Sequence, residues 1–303
     1  MDRFQALETF IAVAESGAFN GAAQRLGQSP PAVTRIIAQL EARLGVTLFL
    51  RTTRQVRLSE SGERFLSDAR RVLSELRDAE ASVTGSHGRP RGVLRITAPV
   101  LFGRYYITPI LTEMLDLYPE MRVHALLLDR VVNLAEEGLD IAIRIGVPED
   151  SSLSAIRVGA VRPIVFAAPD YLARHGTPTV PSDLTHHHII QAGNTENAAS
   201  WLFQKDGDRL AVRVSPRLTV NDNQAVLDVV RAGKGIGRLL SYQIAPALES
   251  GVVVPVLEDV AAPGLPIHIL HGEGHRTSAK LRVAADLLRD RLRADPTLRL
   301  GSL

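Results

Sequence analysis

Three observations on this 303-residue sequence predict an α/β protein with a winged helix-turn-helix at its N-terminus. The first is the segment from Ala18 to Leu58, where two short amphipathic helices flank a Gly-containing turn and an Arg-studded hairpin follows. The second is an apolar series at Phe65, Ala69, Val72, Leu76, Ala79 and Val83, stepping by four and three as a helical seam does. The third is the alternation of strand-like and helix-like segments from Val93 onward.

Each element follows from its residues. Leu7, Phe10, Ile11, Val13 and Ala14 make a first helix that packs behind the next two. Ala22, Ala23 and Leu26 form the inner face of the second, and Gly27 suits the sharp turn after it, where a left-handed residue is cheap. Ser29 reads as an N-cap, with Pro30 at the first helical position. Val33, Ile36, Ile37, Leu40 and Leu44 recur at helical intervals and should be buried. Pro31, Thr34, Arg35 and Gln39 are then left on or near the outer face, where a hydroxyl and a guanidinium can read base edges in a major groove. Leu48–Arg51 and Val56–Leu58 read as the strands of the wing, with Thr52, Thr53 and Arg54 between them. Ser59 caps a helix through about Val83; about 25 residues would reach roughly 38 Å. Its seam suggests a homodimer presenting two reading helices to two half-sites; a helix lying on its own domain is the plainer alternative.

Charge points the same way. Arg25, Arg35, Arg43, Arg51, Arg54 and Arg57 stand in a stretch with one acid, Glu41. Residues 1–92 hold 13 Arg and 10 acids, whereas the whole chain is only +2. A local excess of this kind serves to neutralise phosphates, so double-stranded DNA is the expected partner. With no cysteine, disulfides, thiol nucleophiles and Cys-ligated zinc are excluded. No apolar run reaches membrane-spanning length and the N-terminus has no signal-peptide pattern, so a soluble cytoplasmic protein is expected.

Residues 85–92 (GSHGRPRG) read as a hinge linker. Beyond it, strands are predicted at Val93–Ala98, Arg122–Leu128 and Asp140–Ile145, with helices at about Gly103–Tyr118 and Val131–Glu137 between them, implying a mostly parallel sheet. The pattern then resets. Strands follow at Arg162–Ala168, Arg213–Val220, Gly251–Leu257 and Leu265–Leu270, and helical pieces at Pro169–His175, Asn223–Ala232 and Ser278–Ala294.

Along nearly its whole length the sequence resembles the LysR-type transcriptional regulators. The residues carrying the likeness are Phe10, Ala22–Ala23, Leu26–Gly27, Ser29, Pro31–Arg35, Ile37, Leu40–Glu41, Leu44–Gly45, Leu48–Phe49, Arg51, Leu58 and Gly62. The later stretches DIAIRIG, AAPDYLARHG and GKGIG fit the effector-domain pattern, in the subgroup that includes many regulators of aromatic or redox metabolism. The resemblance implies a winged helix-turn-helix over 1–58, a dimerisation helix over 59–84 and a hinge over 85–92. It also implies a two-lobed effector domain, like periplasmic binding proteins, over 93–296, followed by a tail over 297–303. Lobe I would be 93–162 with 268–296, and lobe II 163–267. The implied activity is sequence-specific regulation of transcription, set by a small anionic or aromatic effector between the lobes. The implied partners are an interrupted inverted-repeat DNA operator, RNA polymerase, and further copies in a homodimer or homotetramer. Ser29, Pro31, Thr34 and Arg35 would contact the operator and Arg51 and Arg54 its phosphates. Pro30 stands where the family often has Gln, and Leu50 where a polar residue is usual in the wing.

Lobe junctions and the carboxyl ends of parallel strands are common binding positions. Thr97, Ala98, Pro99 and Val100 leave the first strand toward a helix N-terminus, whose free amides would suit an anion. Arg144 alternates with Ile141, Ile143 and Ile145, and so faces either the cleft or solvent. Asn223 joins this effector set, beside Asp222, which reads as an N-cap. His186, His187 and His188 are neighbours in the chain and do not converge as metal ligands would, so no metal and no cofactor is expected. Gly233–Gly237 follows a helix rather than a strand and reads as a turn, and Trp201 as a packed anchor. No spacing argues a catalytic constellation, so the protein is not expected to be an enzyme; an enzyme with a fused DNA-binding head, or an effector-independent architectural protein, are the alternatives.

Overall fold

The computed structural model describes residues 2–51, 56–83, 90–134, 136–148, 153–193, 199–205, 207–272 and 278–299. Packing divides the chain into two compact units. One is Met1–Pro90 with Val132–Leu139 and Gly274–Arg282; the other is Arg91–Val131, Asp140–Glu273 and Val283–Leu303.

The N-terminal unit begins with three helices, α1 (Arg3–Ser16), α2 (Phe19–Leu26) and α3 (Pro30–Leu44). Asp2 caps α1 by accepting from the Phe4 amide at 2.9 Å. Gly27 and Gly45 end α2 and α3 in the left-handed region, at φ 62° and 69°, which a side chain would make costly. The wing is an antiparallel pair, β1 (Phe49–Arg51) and β2 (Val56–Leu58), and α4 (Glu60–Val83) follows. The core holds Phe10, Val13, Ala22, Ala23, Val33, Ile37, Leu40, Leu48, Phe49 and Ala69. Phe10 is at its centre, with ring centroids 5.2 Å from Phe49 and 5.1 Å from Phe65.

Two expectations need correction here. Leu44, read as buried, is exposed; Gly45 ends the helix there, so no neighbouring turn covers it. The α4 seam is also not wholly available to a partner. Ala69 is buried and Phe65 packs against the same core, so the seam's first turns serve this unit, while Val72 is exposed. The side chains of Ala79 and Val83 lie outside the described residues.

The second unit contains two five-stranded sheets. In chain order its elements are β3 (Gly92–Ala98), α5 (Val100–Phe102), α6 (Thr108–Leu117), β4 (Met121–Leu127), β5 (Ile141–Ile145), β6 (Leu153–Val161), β7 (Pro163–Ala167), α7 (Pro169–His175) and β8 (Ile189–Ala192). Then come β9 (Ala199–Lys205), β10 (Asp208–Val214), β11 (Pro216–Val220), α8 (Asn223–Arg231), β12 (Ile236–Leu240), α9 (Ser241–Glu249), β13 (Val254–Val256), β14 (Leu265–Gly272) and α10 (Ala279–Ala294). A π-helical stretch, Gly103–Ile107, joins α5 to α6, so the helix starts three residues before the predicted Gly103.

Lobe I has strand order β4-β3-β5-β14-β6 and lobe II β11-β8-β12-β7-β13, with β9–β10 as a separate hairpin. Neither sheet is mostly parallel, as the alternation had suggested. β3 pairs parallel with β4 and β5, but β14 runs antiparallel to β5 and β6. In lobe II, β8 is parallel to β11 and β12, and β7 is antiparallel to β12 and β13. The cause is the path of the chain: it leaves the first sheet at Val161, and β14 returns from the second lobe in the opposite sense.

Other boundaries also shift. No helix forms at Val131–Glu137; the described residues there are loop and turn. The strand predicted over Arg213–Val220 is two strands broken at Ser215, Gly251–Leu257 shortens to Val254–Val256, and β14 begins at Leu265, ahead of the expected start of the returning lobe at 268. Alternate residues of β7 and β12 bury on opposite faces. Val165 and Ile236 meet Trp201 and Phe203 of the hairpin, whereas Ile164, Phe166 and Leu239 meet Val226 and Val230 of α8.

Candidate nucleic-acid interface and effector cleft

The second helix of the helix-turn-helix buries one face and leaves the other open. Val33, Ile36, Ile37 and Leu40 point inward; Ser29, Pro31, Arg35 and Gln39 are exposed and Thr34 is half-buried. Ser29 holds the N-cap position, but its hydroxyl makes no capping bond; its carbonyl accepts from the Ala32 and Val33 amides instead. Pro30 at the first position has no amide to satisfy, and the Ser29 hydroxyl stays exposed. Thr34 donates to the Pro30 carbonyl at 3.0 Å. Arg35 has no hydrogen-bond or ion-pair partner among the described residues, so its guanidinium keeps its donors for a ligand.

The basic cluster is smaller than its sequence suggests. Arg25 is engaged by Glu15, which also accepts from Arg70 at 2.9 Å, so one carboxylate ties α1 to α2 and α4. Burial raises the Glu15 carboxyl, but the two arginines more than reverse this and hold it below the usual carboxylate range. Glu41, the one acid in the cluster, takes the Leu48 and Phe49 amides at 2.7 and 3.1 Å and anchors the start of the wing. Arg51 lies on β1, but its side chain falls outside the described residues, as does Arg54 entirely.

In the second unit, chain segments from the two lobes meet at the carboxyl end of β3. Thr97 and Ala98 are fully buried there, followed by Pro99 and Val100. The Val100 amide, expected to be open to an anion, donates to Asp129 Oδ1 at 2.9 Å. Asn223 of lobe II donates to the other oxygen of Asp129 at 3.2 Å, so Asp129 bridges the lobes. Asp222 caps α8 by accepting from the Gln224 amide, as its sequence suggested. Phe102 stacks on Tyr106 at 4.8 Å, and Tyr242 of lobe II meets Phe102 edge-on at 5.3 Å. Burial, helped by Asp129, pushes the Tyr242 hydroxyl far up, so it stays protonated, and it accepts from the Gln243 side-chain amide at 3.3 Å.

Two buried polar atoms near strand ends have no hydrogen-bond partner among the described residues: Thr97 Oγ1 on β3 and Gln191 Oε1 on β8. Such a group costs about 1–3 kcal/mol unless water or a ligand meets it. Arg144, on β5 two positions past the residue paired with Thr97, is half-buried and donates to the Ile143 carbonyl at 3.3 Å. The sequence reading missed Asp129, Gln191 and Tyr242. Asp129 and Gln191 each stand at or near the end of a strand, which is the signal that would have found them; Tyr242 is brought in by the fold alone. The histidines gather differently from a metal site: Tyr171 shares a hydrogen bond with His187 at 3.2 Å, and Arg217 reaches His188 at 2.9 Å. No grouping of three His, Cys, Asp or Glu among the described residues is placed to hold a metal ion.

A family described as "Bacterial regulatory helix-turn-helix protein, lysR family" matches residues 4–63, and "LysR substrate binding domain" matches residues 87–293. The chain belongs to the LysR family of transcriptional regulators. It is 31% identical to the HTH-type transcriptional regulator CrgA of Neisseria meningitidis over 94% of this chain and 96% of that one. It is 33% identical to the HTH-type transcriptional regulator PtxR of Pseudomonas aeruginosa, over 96% and 93%. The solved structure of the Neisseria meningitidis CrgA aligns with a TM-score of 0.61 at 30% identity, covering 95% of this chain and 98% of that one. As a LysR-family member the chain is a DNA-binding transcriptional regulator with an effector-binding domain, and its relatives are regulators, not enzymes. No helix among the described residues is long and apolar enough to cross a membrane.

Proposed function

We propose that this regulator reads an interrupted inverted-repeat operator as a homodimer or homotetramer in the cytoplasm, and that a small effector between its lobes sets the outcome. Ser29, Pro31, Thr34 and Arg35 enter the major groove, Arg51 and Arg54 hold phosphates, and RNA polymerase is a further partner. The exposed Arg35, unpaired among the described residues, on a helix whose other face is buried supports the base-reading role.

The effector is a small aromatic compound seated near Thr97, Ala98, Pro99, Val100, Arg144 and Asn223. The observation that carries this is the pair of orphaned buried atoms, Thr97 Oγ1 and Gln191 Oε1, on strands of opposite lobes. Phe102, Tyr106 and Tyr242 supply ring surfaces nearby. An acidic group on the effector would have to displace Asp129 from the Val100 amide, which separates an anionic ligand from a neutral one. Calorimetry with benzoate, a hydroxybenzoate and benzamide tests the assignment. Binding that weakens at least tenfold in Thr97→Val supports it; full-strength binding in that variant, or none of the three binding the parent, would overturn it.

A further inference from the structure

Three histidines converge on one buried tyrosine in lobe II, outside both the reading face and the interlobe cleft. Tyr171 of α7 is fully buried and belongs to the core that holds Leu184, Val212 and Val214. His175, one turn later on the same helix, stacks on its ring with centroids 4.5 Å apart. His187 and His188 follow the 3₁₀ turn Pro181–His186 and lie against the same ring, at 5.8 and 6.2 Å. His188 is also 5.4 Å from His175. The chain makes His187 and His188 neighbours; the fold alone brings Tyr171 and His175 to them.

The contacts suit neutral rings. The Tyr171 hydroxyl accepts from the His188 amide at 2.9 Å, and among the described residues its own proton has one acceptor, His187 Nδ1, at 3.2 Å. A protonated His187 would present a second donor there and leave the tyrosine proton without a partner. Arg217 Nη1 stands 2.9 and 3.0 Å from the two ring nitrogens of His188. An atom that close to both cannot lie in the ring plane without striking the carbon between them, so the guanidinium covers the ring face. A protonated His188 would then set two like charges in contact. From α7, His175 opposes the charge on both rings; from the 3₁₀ turn, His186 opposes it on His187 while Asp183 favours it. Asp183 is held ionised by the Thr179 and Val180 amides. From β12 the contact is backbone, the Ile236 amide donating to the His188 carbonyl at 2.8 Å. Burial first, then these neighbours, holds His187 and His188 below the usual histidine range.

The cluster sits where it can act on the sheet. His188 immediately precedes β8, and Arg217 lies on β11 at the irregular register between Pro216 and Leu218, where β11 joins β8. β11 is the outermost strand of the lobe II sheet and pairs there with β8. Its far end leads through Asp222 to Asn223, which bridges to Asp129 of lobe I. We propose that Tyr171, His187, His188 and Arg217 form an acid-released latch, in which protonation of the two histidines drives Arg217 off the His188 ring and frees the start of β11 from β8. Acid then loosens the strand that leads into the interlobe bridge, with no ligand required. The sign follows from the neutral rings. The latch is intact above the ordinary histidine value of 6.5 and is lost as pH falls through the lowered values.

Hydrogen exchange read by mass spectrometry on the full-length protein tests this, at pH 7.5 and pH 5 and corrected for the intrinsic effect of pH on exchange. Exchange across β11 should rise by about threefold to tenfold at pH 5, within the limit of tenfold per pH unit for each proton taken up, while β12 of the same sheet stays protected. His188→Phe keeps a ring beneath the guanidinium and cannot be protonated, so most of the acid response of β11 should disappear. Arg217→Gln removes the like charge and the clamp together, so β11 should exchange quickly at both pH values and acid should add little. If His188→Phe fails to fold, Arg217→Gln decides. The latch is overturned by a β11 that acid leaves unchanged, by an acid response in His188→Phe or Arg217→Gln equal to the parent's, or by a rise shared equally by β12, which would mean loss of the whole sheet.

Discussion

The DNA-reading head and the two effector lobes solve the placement of functional groups in opposite ways. The head puts its proposed reading residues on one helix and its N-cap, so Ser29, Pro31, Thr34 and Arg35 are neighbours in sequence and in space. The lobes draw Thr97, Asp129, Asn223 and Tyr242 from four separate parts of the chain, brought together by two sheets and the chain that crosses between them. The lesson concerns robustness. A site on one helix survives as long as that helix is held, whereas a site assembled across lobes depends on every element that positions it.

The largest effect that can sharpen this contrast is loss of the head's core. Phe10 is fully buried at the centre of three packed rings. Phe10→Ala should cost about 3–5 kcal/mol. DNA binding should vanish at a temperature where near-ultraviolet circular dichroism still reports folded lobes. A single melting transition that carries both regions down together would break the idea of separable units.

Next comes the reading helix. Arg35→Ala should cost about 1–3 kcal/mol of operator binding and relax base preference at the positions it meets, as a bidentate contact to guanine would. Gel-shift competition against scrambled sequence measures this, and the melting temperature should stay unchanged. An unaltered preference would remove Arg35 from base reading.

A smaller effect is expected from Asp129→Asn. The variant keeps one acceptor for the Val100 amide but loses the charge that bridges Asn223 and faces Tyr242. It should bind aromatic acids more tightly than the parent by about tenfold, since a displaced carboxylate no longer competes. Calorimetry with benzoate reads the change; equal affinity in both proteins would mean that the effector never meets this amide.

The smallest is Glu15→Gln, which removes the link between α1, α2 and α4 at a cost of about 0.5–1 kcal/mol, modest because all three side chains are partly in water. The sign with pH is definite. The folded-state value is lowered, so the ion pairs contribute above the ordinary Glu pKa, and their contribution is lost as pH falls through the lowered value. Thermal denaturation between pH 3 and pH 7 should therefore lose part of its acid sensitivity in the variant, as about one carboxylate's worth allows. An identical pH profile would show that the network contributes nothing.

Much of the head was legible before its structure. The intervals Val33, Ile36, Ile37 and Leu40 identify a buried face because a helix repeats every 3.6 residues, and Gly27 and Gly45 mark its turns because only glycine adopts that backbone freely. What failed there failed by contact. Nothing local says that Arg25 is spent on Glu15, that Glu41 turns from a charge in the cluster into the anchor of the wing, or that Phe65 and Ala69 of the seam serve their own unit. In the lobes, alternation identified strands without their direction, since a five-residue apolar segment reads the same either way. The antiparallel insertion of β14 between β5 and β6 follows from a chain reversal far along the sequence.

The sequence by itself determined the three helices of the head and which of their faces are buried, because periodicity and turn residues act over a few neighbours. Only the tertiary structure decided which polar atoms are left unmet, which charges cancel and which strand ends share a cleft. Thr97 Oγ1 and Asp129 take their meaning from residues far along the chain or, among the described residues, from the lack of a partner. Burial and hydrogen-bond satisfaction are properties of the packed whole, so no local pattern can encode them.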